Sequence, residues 1–195
     1  MPYLDEFEGK GIFYYNDGTR EMGDYLNGNR IGKHVKMFEN GEVEIRSSYN
    51  PNFLLYKGRY YIVHVGDSRI YQITGKNIYL LTNDQTFIAR EIAAGRMTVE
   101  QSKTDPRRSV LLQCVGASEI VEPEFSTGVI MPNTVYMVCS DGFRHQISEE
   151  EMIAKIGPEN TPDEQSMKNG CIFLTELVKQ RRETDNITVG LIKTV

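Results

Sequence analysis

Three aspartates stand beside short apolar runs, at the points where a buried strand would end or begin. Asp67 follows YIVHVG, Asp141 follows VYMVCS, and Asp185 precedes NITVGLI. Taken singly, each aspartate is typical of a turn, because its carboxylate accepts hydrogen bonds from the backbone that follows it. At the ends of three strands of one fold, however, the carboxylates would converge and repel one another unless a cation lay between them. Hard oxygen ligands suit magnesium or manganese, so the pattern predicts a divalent-cation site.

Short strands surround these acids from about residue 49 onwards. Residues 52–84 read as four strands, because apolar and aromatic residues stand between turn signals at Lys57-Gly58 and at 74–77. Gly66, Asp67 and Ser68 interrupt this run. Further strands are predicted near residues 110–114, 120–125, 134–139 and 186–192. Strands in runs, with helices inserted in pairs, favour an α+β fold in which antiparallel sheets are flanked by helices.

Helix-capping signals mark four helices between these strands. Asp84 is the predicted N-cap of a helix that ends at Gly95. Two capping boxes start the next helices, in which a Ser or Thr is followed three residues later by Gln or Glu. The boxes are Thr98 with Gln101 and Ser148 with Glu151. The last helix is predicted to begin after Thr161, because Pro162 then occupies its first position.

The overall composition excludes several classes of protein. The chain has 195 residues, with 39% hydrophobic and 25% charged, which suits one soluble domain with or without a small appendage. A net charge of -5 argues against nucleic-acid binding. Three widely spaced cysteines favour free thiols in a reducing compartment. No apolar run approaches the ~20 residues of a membrane span, and no signal-peptide pattern opens the chain. We therefore expect a cytoplasmic protein.

Residues 1–48 differ from the rest because they repeat. GKGIFYYNDGTRE at 9–21 aligns with GKHVKMFENGEVE at 32–44, with each matching residue offset by 23 positions. Asp17-Gly18 and Asn40-Gly41 are predicted to form two-residue hairpin turns, since such pairs accept the positive φ values of a type I′ turn. A period of this length is typical of units that must stack on neighbours to bury a face.

The same stretch resembles the MORN repeat family of glycine-punctuated hairpins, through MGDYLNGNRIGKH at 22–34. Two such units are too few to fold alone, since ~3 are normally needed, so we expect them to lean on the following domain. Two roles are open. The repeats are a spacer or sheet extension, which we favour, or a surface that binds lipid or a protein partner.

Four motifs occur in the order and at roughly the spacing of one enzyme family. They are HVGDSRIY, LTNDQT, VCSDGF followed by ISEEEM, and DNITVGLI. On these motifs residues 49–195 resemble the metal-dependent protein serine/threonine phosphatases, the type 2C or PPM-type family. The stretch 90–116 is similar to the family's segment that leads to its long-range glycine turn. In the family's LTNDQT motif the position of Gln85 often holds histidine, so this sequence departs from the pattern there.

The resemblance implies an αββα sandwich with a two-metal centre, in which manganese or magnesium activates a water that attacks phosphoserine or phosphothreonine. It implies that Asp141 and Asp185 are metal ligands and that Asp67 joins Asp141 at a third, weaker metal. Asn186 would orient Asp185, and residues 93–107 would form a mobile flap beside the cleft. The supporting positions implied by the same motifs are Gly66, Ser68 and Gly142.

The family's N-terminal third has no counterpart in the motifs of this sequence. Neither R-x-x-N-x-D, which would supply a phosphate-binding arginine, nor D-G-x-G-G, which would supply the carboxylate that bridges two metals, occurs. An incomplete sandwich leaves strand edges that the N-terminal hairpins or another chain would cover.

Three readings follow from these missing motifs. The chain is a phosphatase whose missing groups come from the repeat segment or a partner, a non-catalytic pseudophosphatase that binds phosphoprotein or protein partners, or a truncated or recombined gene product. On ligand count we expect impaired catalysis by this chain alone.

Overall fold

The computed structural model describes residues 9–14, 17–26, 29–39, 43–47, 52–114 and 121–195. Within these ranges the chain forms eleven strands and five helices, which divide into two structural units. The first unit comprises residues 1–65 and 114–130, and the second comprises residues 66–113 and 131–195. The predicted fold class, α+β with antiparallel sheets and helices, is confirmed.

The first unit contains a seven-stranded antiparallel sheet in the order β1-β2-β3-β4-β5-β6-β9. Its buried side chains on β5 and β6 include Phe53, Leu55 and Ile62. The edge strand β9 alternates between half-buried and exposed residues, which is the pattern of a strand with one face towards water. The strands are β1 Gly9–Tyr14, β2 Arg20–Leu26, β3 Asn29–Met37, β4 Val43–Ser47, β5 Asn52–Tyr56, β6 Arg59–His64 and β9 Glu124–Val129.

The repeat of the N-terminal sequence reappears in the pairing of its strands. Tyr14 pairs with Arg20 at the end of the β1–β2 ladder, and Met37 pairs with Val43 at the corresponding place in the β3–β4 ladder, 23 residues later. The sequence repeat thus corresponds to a repeat of strand register.

The predicted two-residue turn at Asp17-Gly18 is wrong. The Asp17 carboxylate accepts a hydrogen bond from the Thr19 amide at 3.0 Å, which makes a side-chain-closed turn inside a longer connection. Gly18 has a φ of +80°, as the prediction required. The second predicted turn, Asn40-Gly41, lies outside the described residues, as does Asn27-Gly28.

The N-terminal strands continue directly into the strands of the C-terminal segment. Val43 of β4 pairs with Leu55 of β5, so the repeat strands cover an edge of this sheet, one of the two predicted arrangements. The division into units therefore groups β5, β6 and β9 with the repeat strands. The predicted domain boundary between residues 48 and 49 and the resemblance to MORN repeats both stay predictions.

The second unit contains a four-stranded antiparallel sheet in the order β11-β10-β7-β8. Every residue of the inner strand β10 is buried, as expected for a strand covered on both faces. One face packs with helices into a core that includes Met137, Phe143, Leu174 and Val178. The strands are β7 Arg69–Thr74, β8 Asn77–Leu80, β10 Thr134–Cys139 and β11 Val189–Thr194.

Five helices belong to the second unit, and both predicted capping boxes are confirmed. Two predicted N-caps are wrong. The first helix is capped by Thr86 instead of Asp84, and the last by Asp163 instead of Thr161, whose hydroxyl donates to the Gly157 carbonyl at 3.0 Å. The helices are α1 Phe87–Ala93, α2 Val99–Ser102, α3 Asp141–Arg144, α4 Glu149–Ile156 and α5 Glu164–Gln180. In the described part of the chain, none of them has the length and apolarity needed to cross a membrane.

Three predicted strands differ from those observed. The run 110–114 forms only an isolated bridge between Leu111 and Thr86. The strand predicted at 120–125 begins at Glu124, and the last strand begins at Val189 instead of Asn186. The difference at the last strand matters for the site, because it leaves Asp185 and Asn186 in the irregular segment that leads into the strand.

Candidate metal centre

Asp67 lies in the turn that precedes β7, between Gly66 and Ser68. Gly66 has a φ of +105°, a conformation that side chains rarely adopt, so glycine is required there. Gln85 holds this turn from both directions. Its side-chain oxygen accepts from the Gly66 amide at 2.9 Å, and its own amide donates to the Gly66 carbonyl at 2.8 Å. Where the family often has histidine, Gln85 thus provides a side-chain amide that holds the turn of Asp67.

Asp141 is the first residue of α3 and directly follows the buried strand β10. Its side-chain oxygen Oδ1 accepts from the Gly142 amide at 2.8 Å, and its carbonyl accepts from the His145 amide at 3.0 Å. Phe143, in the same short helix, is fully buried in the core. The strand and the buried ring together fix where the Asp141 carboxylate stands.

Asp185 is brought beside Asp141 through Ser140 and Gly142. The Ser140 hydroxyl donates to the Asn186 carbonyl at 2.7 Å and accepts from the Thr188 amide at 3.0 Å. A Cβ atom added to Gly142 would stand 2.8 Å from the Asn186 carbonyl oxygen and 3.1 Å from the Asp185 Cβ atom. Only glycine therefore permits this approach of the two acid-bearing segments.

The Asp67 carboxyl shows the electrostatic effect of its neighbours. Its pKa is raised above the ordinary aspartate value, first because it is partly buried and then because of the negative charge of Asp141. Asp84 raises the pKa further, while the positive charge of Arg144 opposes the rise. The negative charge of Asp141 therefore acts on Asp67, and the role of the two residues as ligands of one cation stays a prediction. We call Asp67, Asp141 and Asp185 the aspartate rim.

Two arginines and a fourth acid stand beside the rim, and the sequence analysis did not single them out as site residues. Arg69 donates through Nε and Nη2 to both carboxylate oxygens of Asp84, each at 2.8 Å. Arg144 donates through Nη2 to the same Asp84 carboxylate at 3.2 Å and to the Asp67 carbonyl at 3.4 Å. Asp84 is the one residue of this cluster that the sequence patterns mark, and they predict a helix cap there instead of an ion pair.

The donors of the aspartate rim fit part of a divalent-metal site. Their oxygens are of the kind that manganese and magnesium prefer, and the like charges of Asp67 and Asp141 favour a cation. Among the residues that the structure describes, however, no three His, Cys, Asp or Glu side chains are grouped closely enough to hold a metal ion. Metal ligation by these aspartates therefore remains a prediction.

Comparison with known proteins identifies the family to which this rim is related. Over 129 residues, 66% of this chain, the sequence is 30% identical to a putative protein phosphatase 2C-type from Streptococcus pyogenes. The C-terminal two-thirds of the chain is homologous to the PPM-type phosphatases. No protein-family model matches the chain. The predicted resemblance is thus confirmed for this segment, while the MORN-like repeats are not shown.

Solved structures of PPM-type phosphatases share the fold. A serine/threonine phosphatase from Streptococcus agalactiae matches with a TM-score of 0.67 and 23% identity, over 81% of this chain and 61% of that one. The catalytic domain of the phosphatase PstP, in complex with two manganese ions, matches with a TM-score of 0.58 and 23% identity. That match covers 79% of this chain and 59% of the PstP chain. Manganese, one of the two predicted cofactors, is thus bound by a protein of the same fold.

The chain spans half the length of the curated streptococcal relatives that it matches. Those relatives are named as protein phosphatases. The homologous segment is the C-terminal two-thirds of this chain.

Proposed function

We propose that the chain is a PPM-type phosphatase domain that binds Mn²⁺ or Mg²⁺ at the aspartate rim and acts on phosphoserine and phosphothreonine proteins. The observation that supports this proposal is that neighbouring members of the rim approach one another in pairs within a homologous fold. Asp67 and Asp141 interact electrostatically, and Gly142 lies against the segment of Asp185.

Each rim residue has a separate role in this proposal. Asp141 and Asp185 hold the metal, and Asp67 joins Asp141 at a weaker site. Asn186 orients Asp185, whose Oδ1 accepts from the Asn186 amide at 2.7 Å. Gly66 and Ser68 flank Asp67 in its turn, and Gly142 allows the close approach of the segment that carries Asp185. When bound, the metal would supply a water of lowered pKa and positive charge beside the phosphoryl group.

The residues of the chain itself position this chemistry. Ser140 joins the Asp141 helix to the strand entry at Asn186 and Thr188 through hydrogen bonds of 2.7 and 3.0 Å. Gln85 fixes the turn that presents Asp67. These contacts restrict the separation of the carboxylates before any metal binds, which is the preorganisation that a metal site requires.

We further propose that turnover by this chain alone is slow. The sequence lacks the family's bridging-carboxylate and phosphate-arginine motifs, and the described residues hold no group of three metal-ligating side chains. Without a bridging ligand, one ion is held by terminal ligands only. A residue from the repeat segment 1–48 or from a partner chain would have to complete the site.

A second candidate function is a pseudophosphatase that binds a phosphoprotein or a protein partner without hydrolysis. The incomplete ligand set among the described residues favours this alternative. Under both proposals residues 49–195 form the phosphatase-related domain. Residues 1–48 add MORN-like strands, which serve primarily as an extension of the sheet.

The test is calorimetric titration of the chain with MnCl₂, followed by hydrolysis assays on a phosphothreonine peptide. We expect wild type to bind Mn²⁺ and Asp141→Asn or Asp185→Asn to weaken binding at least about tenfold. Glu176→Gln is the control, because it removes the same charge from a surface pair with Lys179 on α5.

Each result separates the candidates. Mn²⁺ binding that depends on the rim, together with peptide hydrolysis, supports the phosphatase. Rim-dependent binding without hydrolysis supports the pseudophosphatase, and equal titrations for wild type and both rim variants would refute the metal site altogether.

A further inference from the structure

Arg144 occupies an unusual place for a positive charge, within a site expected to hold metal. It lies three residues after Asp141 on α3, and its side chain is 12% exposed. Its Nη2 atom donates to the Asp67 carbonyl and to the Asp84 carboxylate. Its Nε atom is buried, and the described part of the chain provides that atom with no hydrogen-bond acceptor. The guanidinium is thus held near the rim without being fully satisfied.

The neighbouring arginine differs in this respect. Arg69 forms a two-pronged ion pair with Asp84 and donates through Nη1 to the Tyr71 hydroxyl at 3.0 Å, so each of its three side-chain nitrogens has a partner. Because Asp84 is already paired with Arg69, the charge of Arg144 is only partly neutralised by that carboxylate. The positive charge of Arg144 also acts on Asp67. It lowers the pKa of the Asp67 carboxyl, while burial and Asp141 raise that pKa by more.

We propose that Arg144 is a built-in cation that compensates the charge of Asp67 and Asp141 and thereby weakens divalent-metal binding at that pair. This inference rests on the proposed function, because it assumes that the rim binds a metal. It assigns to Arg144 a role in setting metal affinity at the Asp67–Asp141 pair.

The balance of charges shows the direction of the effect. Asp67, Asp84 and Asp141 carry three negative charges, and Arg69 and Arg144 carry two positive ones, which leaves a net charge of about −1. Binding of a divalent ion would change the net charge of this cluster to about +1. Without Arg144 the net charge would be about −2, and the same ion would bring it to zero. At the effective dielectric constant of ~20 that suits such sites, removing one positive charge several ångströms from the ion raises affinity by about tenfold or more.

The experiment measures Mn²⁺ binding by calorimetry for wild type, Arg144→Gln and the double variant Arg144→Gln/Asp67→Asn. We expect Arg144→Gln to bind Mn²⁺ about tenfold more tightly or to gain an additional ion, and the double variant to lose this gain. Arg144→Lys, which keeps the charge, should remain close to wild type. Arg59→Gln is the matched control, since Arg59 is exposed on β6 and its side chain donates to Thr127 at 3.4 Å, away from the aspartate rim in the chain's other unit.

Folding of each variant is checked by circular dichroism, and Arg144→Met replaces Arg144→Gln if the glutamine variant does not fold. A gain for Arg144→Gln that disappears with Asp67→Asn supports the proposal. Wild-type affinity in Arg144→Gln, or an equal gain in Arg59→Gln, would overturn it.

The outcomes also separate this proposal from the proposed function. If wild type binds Mn²⁺ through Asp141 and Asp185 but Arg144→Gln shows no gain, only the role of Arg144 fails. If wild type binds no Mn²⁺ and Arg144→Gln does, the inference stands while the proposed metal-binding function of the natural chain fails. If neither binds, both fail.

Discussion

Two groups of carboxylates within the second unit have opposite electrostatic surroundings. In the α1–α2 segment, residues 87–107, Glu91 contacts Arg96 at 2.7 and 2.8 Å, and Asp105 contacts Arg107 at 2.7 and 2.9 Å. These arginine hydrogen bonds lower the pKa of each of the two carboxyls to about 2. At the aspartate rim the opposite holds, because burial and a neighbouring acid raise the pKa of Asp67.

The contrast shows which acids are suited to bind a cation. A carboxylate that already holds an arginine in a two-pronged pair has its charge compensated, and a metal ion would have to displace that partner. Where a carboxylate lies beside another acid, a metal ion lowers the repulsion between the two negative charges without displacing a partner. The α1–α2 segment therefore carries paired carboxylates, while the rim retains negative charge that Arg144 compensates only in part.

The largest expected loss of stability comes from truncating the buried ring of α3, the helix that carries Asp141. Phe143 is fully buried under α3, so Phe143→Ala should lower the free energy of unfolding by about 3–5 kcal/mol and displace Asp141. Urea denaturation followed by circular dichroism measures the loss. The matched control is Phe125→Ala on β9, where the ring is 71% exposed and the change should stay within about 0.5 kcal/mol. Similar small losses for both variants would mean that α3 is not anchored by its buried ring.

Asp84→Asn tests the difference between the two kinds of acid. Asp84 neutralises Arg69 and Arg144 with a side chain that is 11% exposed, so its loss leaves two partly buried guanidinium groups undercompensated. We expect a loss of about 2–4 kcal/mol in the same denaturation assay. Asp105→Asn is the comparison, because its partner Arg107 is 53% exposed and its guanidinium stays hydrated when the pair is broken, so the loss should be smaller. Equal losses would contradict the distinction between rim and surface acids.

Gly142→Ala should have a smaller effect on stability and a clear effect on metal binding. The added methyl group would meet the Asn186 carbonyl at 2.8 Å, so the segments that carry Asp141 and Asp185 must separate. We expect a loss of about 1–3 kcal/mol, together with weaker Mn²⁺ binding in calorimetry. Gly190→Ala on β11 is the control, since nothing lies within 4 Å of its added Cβ atom. Unchanged Mn²⁺ affinity in Gly142→Ala would show that the spacing of these two acids does not matter.

Local features of this fold could be predicted from the sequence. The capping boxes of Thr98 and Ser148 depend on residues three positions apart, and both occur as expected. The buried strand 134–139 is a run of apolar residues, and its bounds are those observed. The three rim aspartates were chosen as candidates because each one adjoins a predicted strand, and their role as metal ligands stays a prediction. In each case the deciding interactions are short in sequence or follow from burial alone.

Features that depend on distant contacts could not be predicted. Asp84 pairs with Arg69 across 15 residues and with Arg144 across 60. No local pattern shows that these side chains meet, so the sequence instead suggested that Asp84 caps α1. Thr86 performs that role because its side chain accepts from the Ala89 amide. The ion pairs of the α1–α2 segment join residues only two to five positions apart, within the range that sequence patterns address.

The smallest predicted effect concerns acid stability of the α1–α2 segment. Glu91 has a pKa of about 2 in the folded protein, against an ordinary value of 4.5, because Arg96 donates to it. The folded state therefore binds this proton less tightly, and the pair stabilises the protein above pH ~4.5 and loses that effect as the pH falls towards 2. Wild type should melt slightly higher than Arg96→Gln at pH 6, and the difference in melting temperature should shrink as the pH is lowered.

Asp67 acts in the opposite direction, because its raised pKa favours the folded state as the pH falls. The difference between wild type and Arg96→Gln isolates the surface pair, since both proteins retain Asp67 and its contribution cancels. Thermal melts at several pH values between 6 and 2.5, with Arg59→Gln as the control, measure this difference. A difference in melting temperature between wild type and Arg96→Gln that stays constant with pH would show that Arg96 acts through packing. The Glu91–Arg96 pair would then give no support to the electrostatic contrast between the α1–α2 segment and the aspartate rim.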